Sequence, residues 1–298
     1  MIGKCSLCFK KRELQNSHIL PKFIYSWYKR TSVGAIRTNQ NPNLRVQDGK
    51  KSYLFCKECE SKLNKWETPF CNRIFIPLHN PEPQKEELPY KDWALKFAIS
   101  VSYRVLLYFK ELGLSHLTPH QNELVKQALK TWRSFLLNKC QSVGKFEQHI
   151  IPLDVIESHT SPGISPFLNR YFLRTVHMDI ISKKNSAIVF SKLFRIIIFG
   201  FIEEDGNNWR ETEIHAKNGS IGGVKNYLIP GAIGEYMNQK ADEVMSLLSE
   251  MSEKQKDKIS ELFNSHFELL IDSEVARAMH YDVLHSGKDA FSDEKDLI

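Results

Sequence analysis

The chain has 298 residues and a mass of 34.6 kDa, with 42% hydrophobic and 26% charged residues, which excludes a disordered or fibrous protein and allows one large domain or two medium ones. Its longest apolar run, residues 193–202, is 10 residues long and contains Arg195, well short of the roughly 20 needed to cross a bilayer, so no membrane span is expected. The net charge of +6 is uneven: residues 1–75 hold 15 Lys and Arg against 5 Asp and Glu, a balance of +10, whereas the remainder holds 26 basic and 30 acidic residues.

The first 75 residues carry the densest pattern. A Cys5-Ser-Leu-Cys8 pair is followed by Asn16-Ser17-His18-Ile19-Leu20-Pro21, by Phe23, Trp27 and Tyr28 at the spacing of a short helix, and by a loop containing Asn41-Pro42-Asn43-Leu44. Leu54-Phe55-Cys56-Lys57-Glu58-Cys59-Glu60 should then open a helix carrying Leu63 and Asn64. Pro77, Pro81 and Pro83 exclude a continuing helix, which places a linker at residues 76–89 and a second domain at residues 90–298. In that domain residues 90–112 read as a helix, with Trp93, Phe97, Val101, Val105 and Tyr108 at a 3.6-residue period and Gly113 as its stop. Thr118-Pro119-His120-Gln121 has the form of a capping box, opening a helix that runs towards Cys140.

The period then changes. Residues 172–181, 187–202 and 209–215 are rich in Ile, Phe, Val and Thr and read as strands, the last two joined by a polar hairpin turn at residues 203–208. A glycine-rich segment at residues 218–223 reads as flexible. Helices are expected at residues 233–250, at 252–271 with Ile259, Leu262, Phe263, Phe267 and Leu270 on one face, and around 276–284, before a polar terminus that frays over its last dozen residues. The fold class is α+β.

Two C-x-x-C knuckles allow four thiolates, Cys5, Cys8, Cys56 and Cys59, to converge on one structural Zn²⁺. The amino terminus lacks the apolar stretch of a secretory signal, so a cytoplasmic, reducing location is expected, where paired cysteines hold metal in preference to forming disulfides. Cys71 and Cys140 have no partner at metal spacing and read as buried small hydrophobes.

The order C-x-x-C, S-H-I-x-P, N-L, L-x-C-x-x-C-E resembles the zinc-knuckle form of the HNH, or ββα-metal, endonuclease superfamily over residues 1–70. The resemblance implies a zinc-stapled, treble-clef-like ββα domain that hydrolyses phosphodiesters. It assigns His18 as the general base that takes a proton from water, a role suited to an imidazole titrating near neutrality. The preceding position, a carboxylate or imidazole ligand of a divalent cation in that family, is Ser17 here, and the position after the last zinc cysteine, commonly Asn or His, is Glu60. Glu60 is a hard oxygen donor suited to Mg²⁺ or Mn²⁺, and Asn64, four residues on, shares its helix face. Asn43 matches the asparagine that orients the loop over the catalytic strand. A role in bacterial antiviral defence or mobile-element biology is what the resemblance to the superfamily suggests, with DNA as the expected substrate.

The local positive charge suits such a partner, because neutralising backbone phosphates releases condensed counterions. Lys22, Lys29, Arg30, Arg37, Arg45, Lys50 and Lys51, interleaved with aromatic residues, are the candidate phosphate contacts. Plainer readings stand beside each of these: a solubilising basic surface, a structural His18 under the zinc, a Glu60 that answers the helix dipole. The alternative function is therefore a catalytically silent zinc module that binds nucleic acid or a partner protein, with the second domain as a further partner surface. Elsewhere, His116 and His120 straddle a helix start, Glu203-Glu204-Asp205 read as a solvated acidic tip, Gly219, Gly222 and Gly223 lack the Lys-Ser/Thr of a phosphate loop, and His266 falls on an apolar face as a buried histidine.

Overall fold

The computed structural model describes residues 1–32, 36–38, 41–79, 87–159, 162–204, 209–223, 225–271 and 273–291. In chain order the elements are β1 (Ile2–Lys4), β2 (Lys11–His18), α1 (Lys22–Thr31), β3 (Ile36–Thr38), β4 (Asn41–Val46), β5 (Lys51–Cys56) and α2 (Lys57–Phe70). A π-helical turn, Cys71–Phe75, leads into α3 (Ile76–Leu78), β6 (Glu87–Lys91), α4 (Trp93–Leu112), α5 (Pro119–Leu136), β7 (Gln148–Pro152) and α6 (Leu168–Arg174). The chain continues through β8 (Val176–Lys183), β9 (Ser186–Leu193), β10 (Ile196–Glu203), β11 (Asn218–Gly222), α7 (Gly231–Ser249), α8 (Glu253–Ser265), α9 (Phe267–Ile271) and α10 (Glu274–Ser286). The protein is thus a mixture of helices and small antiparallel sheets, and among the described residues no helix is long and apolar enough to cross a membrane.

Contacts divide the chain into two compact units, the first comprising Met1–Phe23, Gly49–Pro152 and Val176–Ile229. This division does not coincide with boundaries at residues 75 and 90, because α2 packs on α4 and β6 pairs antiparallel with β11. Within the expected linker, residues 76–78 are helical and residues 87–89 belong to β6, while residues 80–86 lie outside the described residues.

The centre of this unit is α4. Its apolar residues run most of the way round the helix, so it buries one side against the sheet β7-β10-β9-β8 and another against α2, where Phe70 and Phe97 stack at 3.8 Å. Close approach to the sheet needs Gly200 on β10, since a Cβ there would sit 2.6 Å from the Ser102 hydroxyl of α4. The α5 start is as expected: Thr118 Oγ1 accepts from Gln121 N at 3.1 Å, and Gln121 Oε1 accepts from Thr118 N at 3.1 Å.

The middle of the chain departs from the sequence reading in four places. Residues 187–202 form two strands, not one, turning at Phe194, which takes a left-handed conformation (φ 56°). That turn is itself buried together with its flanking Lys192 and Arg195, the Phe194 carbonyl accepting from Lys192 Nζ at 2.8 Å. Residues 172–174 end helix α6 and the strand begins only at Val176. Residues 209–215 make isolated bridges, Arg210 to Leu228 and Glu213 to His149, and the turn residues 205–208 lie outside the described residues. Residues 218–222 are not loose: they are β11, with Gly219 directly opposite Tyr90.

The second unit comprises Ile24–Asp48, Leu153–Thr175 and Pro230–Ile298. Trp27 of α1, Phe167, Tyr171 and Leu173 around α6, Met237 of α7 and Ala278 of α10 form its core. Asp282 of α10 accepts from the backbone N–H groups of Asn169 and Arg170 and from Arg170 Nε, at 2.9, 3.2 and 2.8 Å, so one carboxylate serves the first turn of α6. The segment expected as a loop at Asn41–Leu44 is part of β4, paired with β3. The expected helix at 252–271 breaks at His266, which is exposed, because the apolar face of α8 is not buried and so does not hold the helix straight. Of the polar terminus, residues 287–290 close a 3₁₀ turn, and residues 292–298 lie outside the described residues.

Candidate metal centre and its neighbourhood

Two tight turns bring the four cysteines together. Cys5 and Cys8 follow β1 in a turn closed by Phe9 N–H to Cys5 O (2.8 Å) and Cys5 N–H to Lys10 O (3.0 Å), with Phe9 in the left-handed region (φ 63°). Cys56 ends β5, opposite Leu14 of β2, and Cys59 lies in the first turn of α2. All four sulfurs fall within 4.8 Å of one another, and those of Cys8 and Cys56 are 3.9 Å apart. A tetrahedral ion with Zn–S bonds of about 2.3 Å needs sulfurs about 3.8 Å apart, so the cluster fits a metal ion such as zinc.

The cysteines differ electrostatically: burial raises the pKa of Cys56, and burial together with the neighbouring Cys5 raises that of Cys59. Burial opposes ionisation of Cys5, yet its pKa is held below the ordinary thiol value by backbone N–H groups of Cys8, Cys56 and Leu7, and Cys56 N–H points at Cys5 Sγ from 3.4 Å. Two groups from distant helices strap the first knuckle: Tyr103 of α4 donates its hydroxyl to Ser6 O (2.6 Å), and Arg133 of α5 donates Nε to Leu7 O (2.6 Å) while covering the Phe9 ring. Cys71 and Cys140 lie outside the cluster and are half-buried, where burial was expected.

Beside this centre β2, α2 and α4 gather a second group of polar side chains. Ser17 and His18 end β2, after a register shift that follows Gln15. Glu60 is the residue after Cys59, and its pKa is pushed up by burial against the opposing pull of Arg104 and of the nearby Ser17. Among the described residues, Glu60 Oε1 is buried with no hydrogen-bond partner. Arg104, 3% exposed, pairs with Glu67 Oε1 at 2.5 Å and donates to Ser100 O (3.2 Å) and His18 O (3.5 Å). Glu60, Asn64 and Glu67 occupy one face of α2, with Asn64 exposed between two half-buried carboxylates.

The remaining expected residues divide between the two units. Asn43 belongs to the second unit, where Oδ1 accepts from Ser252 N–H (2.8 Å) at the start of α8 and Nδ2 donates to Glu250 O (3.5 Å), so it is engaged in joining β4 to α8. Lys22, Lys50 and Lys51 are exposed in the first unit, and Lys29, Arg30 and Arg45 are exposed in the second. Arg37, in contrast, is half-buried and spends its guanidinium on Pro42 O (2.5 Å) and Gln255 Oε1 (3.1 Å).

Other sequence candidates also found ordinary partners. His116 bonds Ile180 O (3.2 Å), and Glu203, expected as part of a solvated tip, is largely buried and accepts from Gln121 Nε2 (3.0 Å). What the sequence reading passed over is a cavity of about 540 Å³ in the first unit, walled by Tyr90, His149, Phe201 and Trp209 and rimmed by carboxylates. A signal was present: Trp209, Glu211, Glu213 and His215 alternate with Arg210, Thr212 and Ile214, which puts aromatic and ionisable side chains on one face of an extended segment. Comparison with family models, with curated proteins and with solved structures returns no match for this chain.

Proposed function

We propose that this protein is a metal-dependent nuclease of the HNH type, in which the zinc-stapled segment β2–β5–α2 presents His18 and Glu60 to a phosphodiester, DNA being the substrate that the local positive charge favours. One observation carries the reading: Glu60, which the motif assigns with Ser17 to a catalytic divalent ion, keeps a buried carboxylate oxygen with no hydrogen-bond partner among the described residues. The orphaned Glu60 Oε1 fits such an ion, since a buried carboxylate oxygen without a donor is stabilised by a cation. Glu60 and Ser17 would hold Mg²⁺ or Mn²⁺ there, with Asn64 one turn further along α2. When bound, that ion polarises the phosphate and stabilises the leaving oxygen. His18 accepts the proton of the attacking water as the new P–O bond forms and the bond to the leaving oxygen breaks. Lys50 and Lys51, exposed next to His18's strand partner position, are the phosphate contacts nearest in register.

A second reading has its own observation. Arg104 is a buried guanidinium beside Glu60 and Glu67, so part of the charge that a dication would neutralise is already met by the protein. That favours a zinc module that binds nucleic acid without cutting it. Incubating purified protein with plasmid separates the two. The nuclease reading expects nicking or linearisation with Mg²⁺ or Mn²⁺, lost on chelation and reduced at least ~100-fold in His18→Ala. Retention of the plasmid in a salt-dependent complex, with no cleavage under any divalent ion, decides for the module.

A further inference from the structure

The first unit contains, on the β7 side of its four-stranded sheet, the cavity of about 540 Å³, a size ordinary for a small-molecule site. Its wall is built by packing. His149 of β7 is 5% exposed, stacks on Phe201 of β10 at 4.2 Å, and has Trp209 5.2 Å away. Tyr90 of β6 closes another side, its hydroxyl accepting from His215 N–H at 3.1 Å. Gly219 is required opposite it, because a Cβ there would collide with the Tyr90 hydroxyl.

The polar groups facing this space are unbalanced in one direction. Glu147, Glu204, Glu211 and Glu213 all line it, against one lysine, Lys225, whose Nζ is already bonded to Ser220 O (2.6 Å) and Ser220 Oγ (2.8 Å). Burial, then Glu213 and Glu204, push the Glu147 pKa up against the opposing pull of His215, as crowded carboxylates do. His149 supplies the independent observation. Its Nδ1 is bonded to the Thr212 hydroxyl at 2.7 Å, and its Nε2 is buried with no hydrogen-bond partner among the described residues, Glu147 Oε2 lying 3.5 Å away. Burial and the neighbouring His215 hold the imidazole pKa at about 4, so the ring is neutral at physiological pH and adds no charge of its own.

We propose that this cavity binds a small organic cation, an alkylammonium or guanidinium compound, whose N–H groups bridge His149 Nε2 and the Glu147 carboxylate while its charged head lies over Trp209. In the tautomer whose Nδ1–H is directed at Thr212, Nε2 presents a lone pair 3.5 Å from the Glu147 carboxylate, and one donor-rich cation serves both acceptors. The indole face adds cation–π attraction, and Glu213 and Glu204 supply the remaining counter-charge. A metal ion is a poorer fit: among the described residues only the four cysteines bring three or more ligand atoms of His, Cys, Asp or Glu into one cluster.

Calorimetric titration of nucleic-acid-free protein with spermidine and with agmatine tests this, with AMP and citrate as anionic controls. One saturable site for a cation is expected, weakened about tenfold or more in Glu213→Gln and in His149→Phe and unchanged in Lys22→Ala, which removes a charge outside the cavity. If His149→Phe fails to fold, Glu213→Gln, at a half-exposed position, still decides the matter. Absence of saturable cation binding overturns the proposal, as does binding equal in wild type and Glu213→Gln, or preference for AMP or citrate.

Discussion

The metal centre and the acidic cavity, both in the first unit, are built in opposite ways. Four cysteines reach one point because each pair is local in sequence, and a single pairing, β2 with β5, brings the two pairs together. The cavity draws on β6, β7, β10, the extended segment 209–215 and β11, so no short stretch contains its chemistry. Ligation chemistry repeated at fixed spacing is therefore readable from a chain, whereas a pocket assembled from non-local pairings becomes readable only once the sheet order is known.

If that contrast holds, the largest effect should come from the local site. Chelating the bound ion, or Cys56→Ser, should remove a contribution on the order of 10 kcal/mol and unfold the knuckle region, seen as lost far-UV ellipticity and a collapsed Tm. An unchanged melt on chelation would break the comparison at its first term. Next comes the ion pair behind Glu60: Glu67→Gln leaves Arg104 buried without its carboxylate, and denaturant melts should show a loss of about 3–5 kcal/mol.

The cavity has a pH signature of the same order. The His149 pKa is depressed from 6.5 to about 4 on folding, so the unfolded chain binds the extra proton between those values. Stability is fully present above pH 6.5 and falls as pH drops towards 4, by up to about 3 kcal/mol at 1.36 kcal/mol per unit. His149→Gln should flatten this slope, and a slope equal to wild type would remove His149 from the account. The smallest effect is local again: Thr118→Ala removes one half of the capping box on α5 and should cost about 1 kcal/mol in urea.

Legibility followed the same division. The α5 cap, the body of α4, the opening of α2 beside Cys59 and the cysteine cluster were all written in nearby residues, where propensity, period and capping act. Ser17 and Glu60 were brought to one place by the motif alone, but Arg104 and Glu67 were invisible beside them, because α4 meets α2 through non-local packing such as Phe70 on Phe97. The buried turn at Phe194 was missed since it holds no Gly, Pro, Asn or Asp and its flanking Lys192 and Arg195 are themselves buried, and the break at His266 since periodicity does not report whether an apolar face finds a partner. Asn43 matched a motif by type, yet its amide is committed to Ser252 and Glu250, over two hundred residues away in sequence.

The most direct test of the metal-centred account is native mass spectrometry of the full chain, read with and without denaturation. The account predicts one zinc per chain, carried with loss of about four thiol protons in keeping with tetrathiolate ligation, and lost in Cys56→Ser and Cys5→Ser but kept in His18→Ala and Cys140→Ser. A folded chain that carries no zinc, or a Cys56→Ser variant that binds it as wild type does, would contradict it.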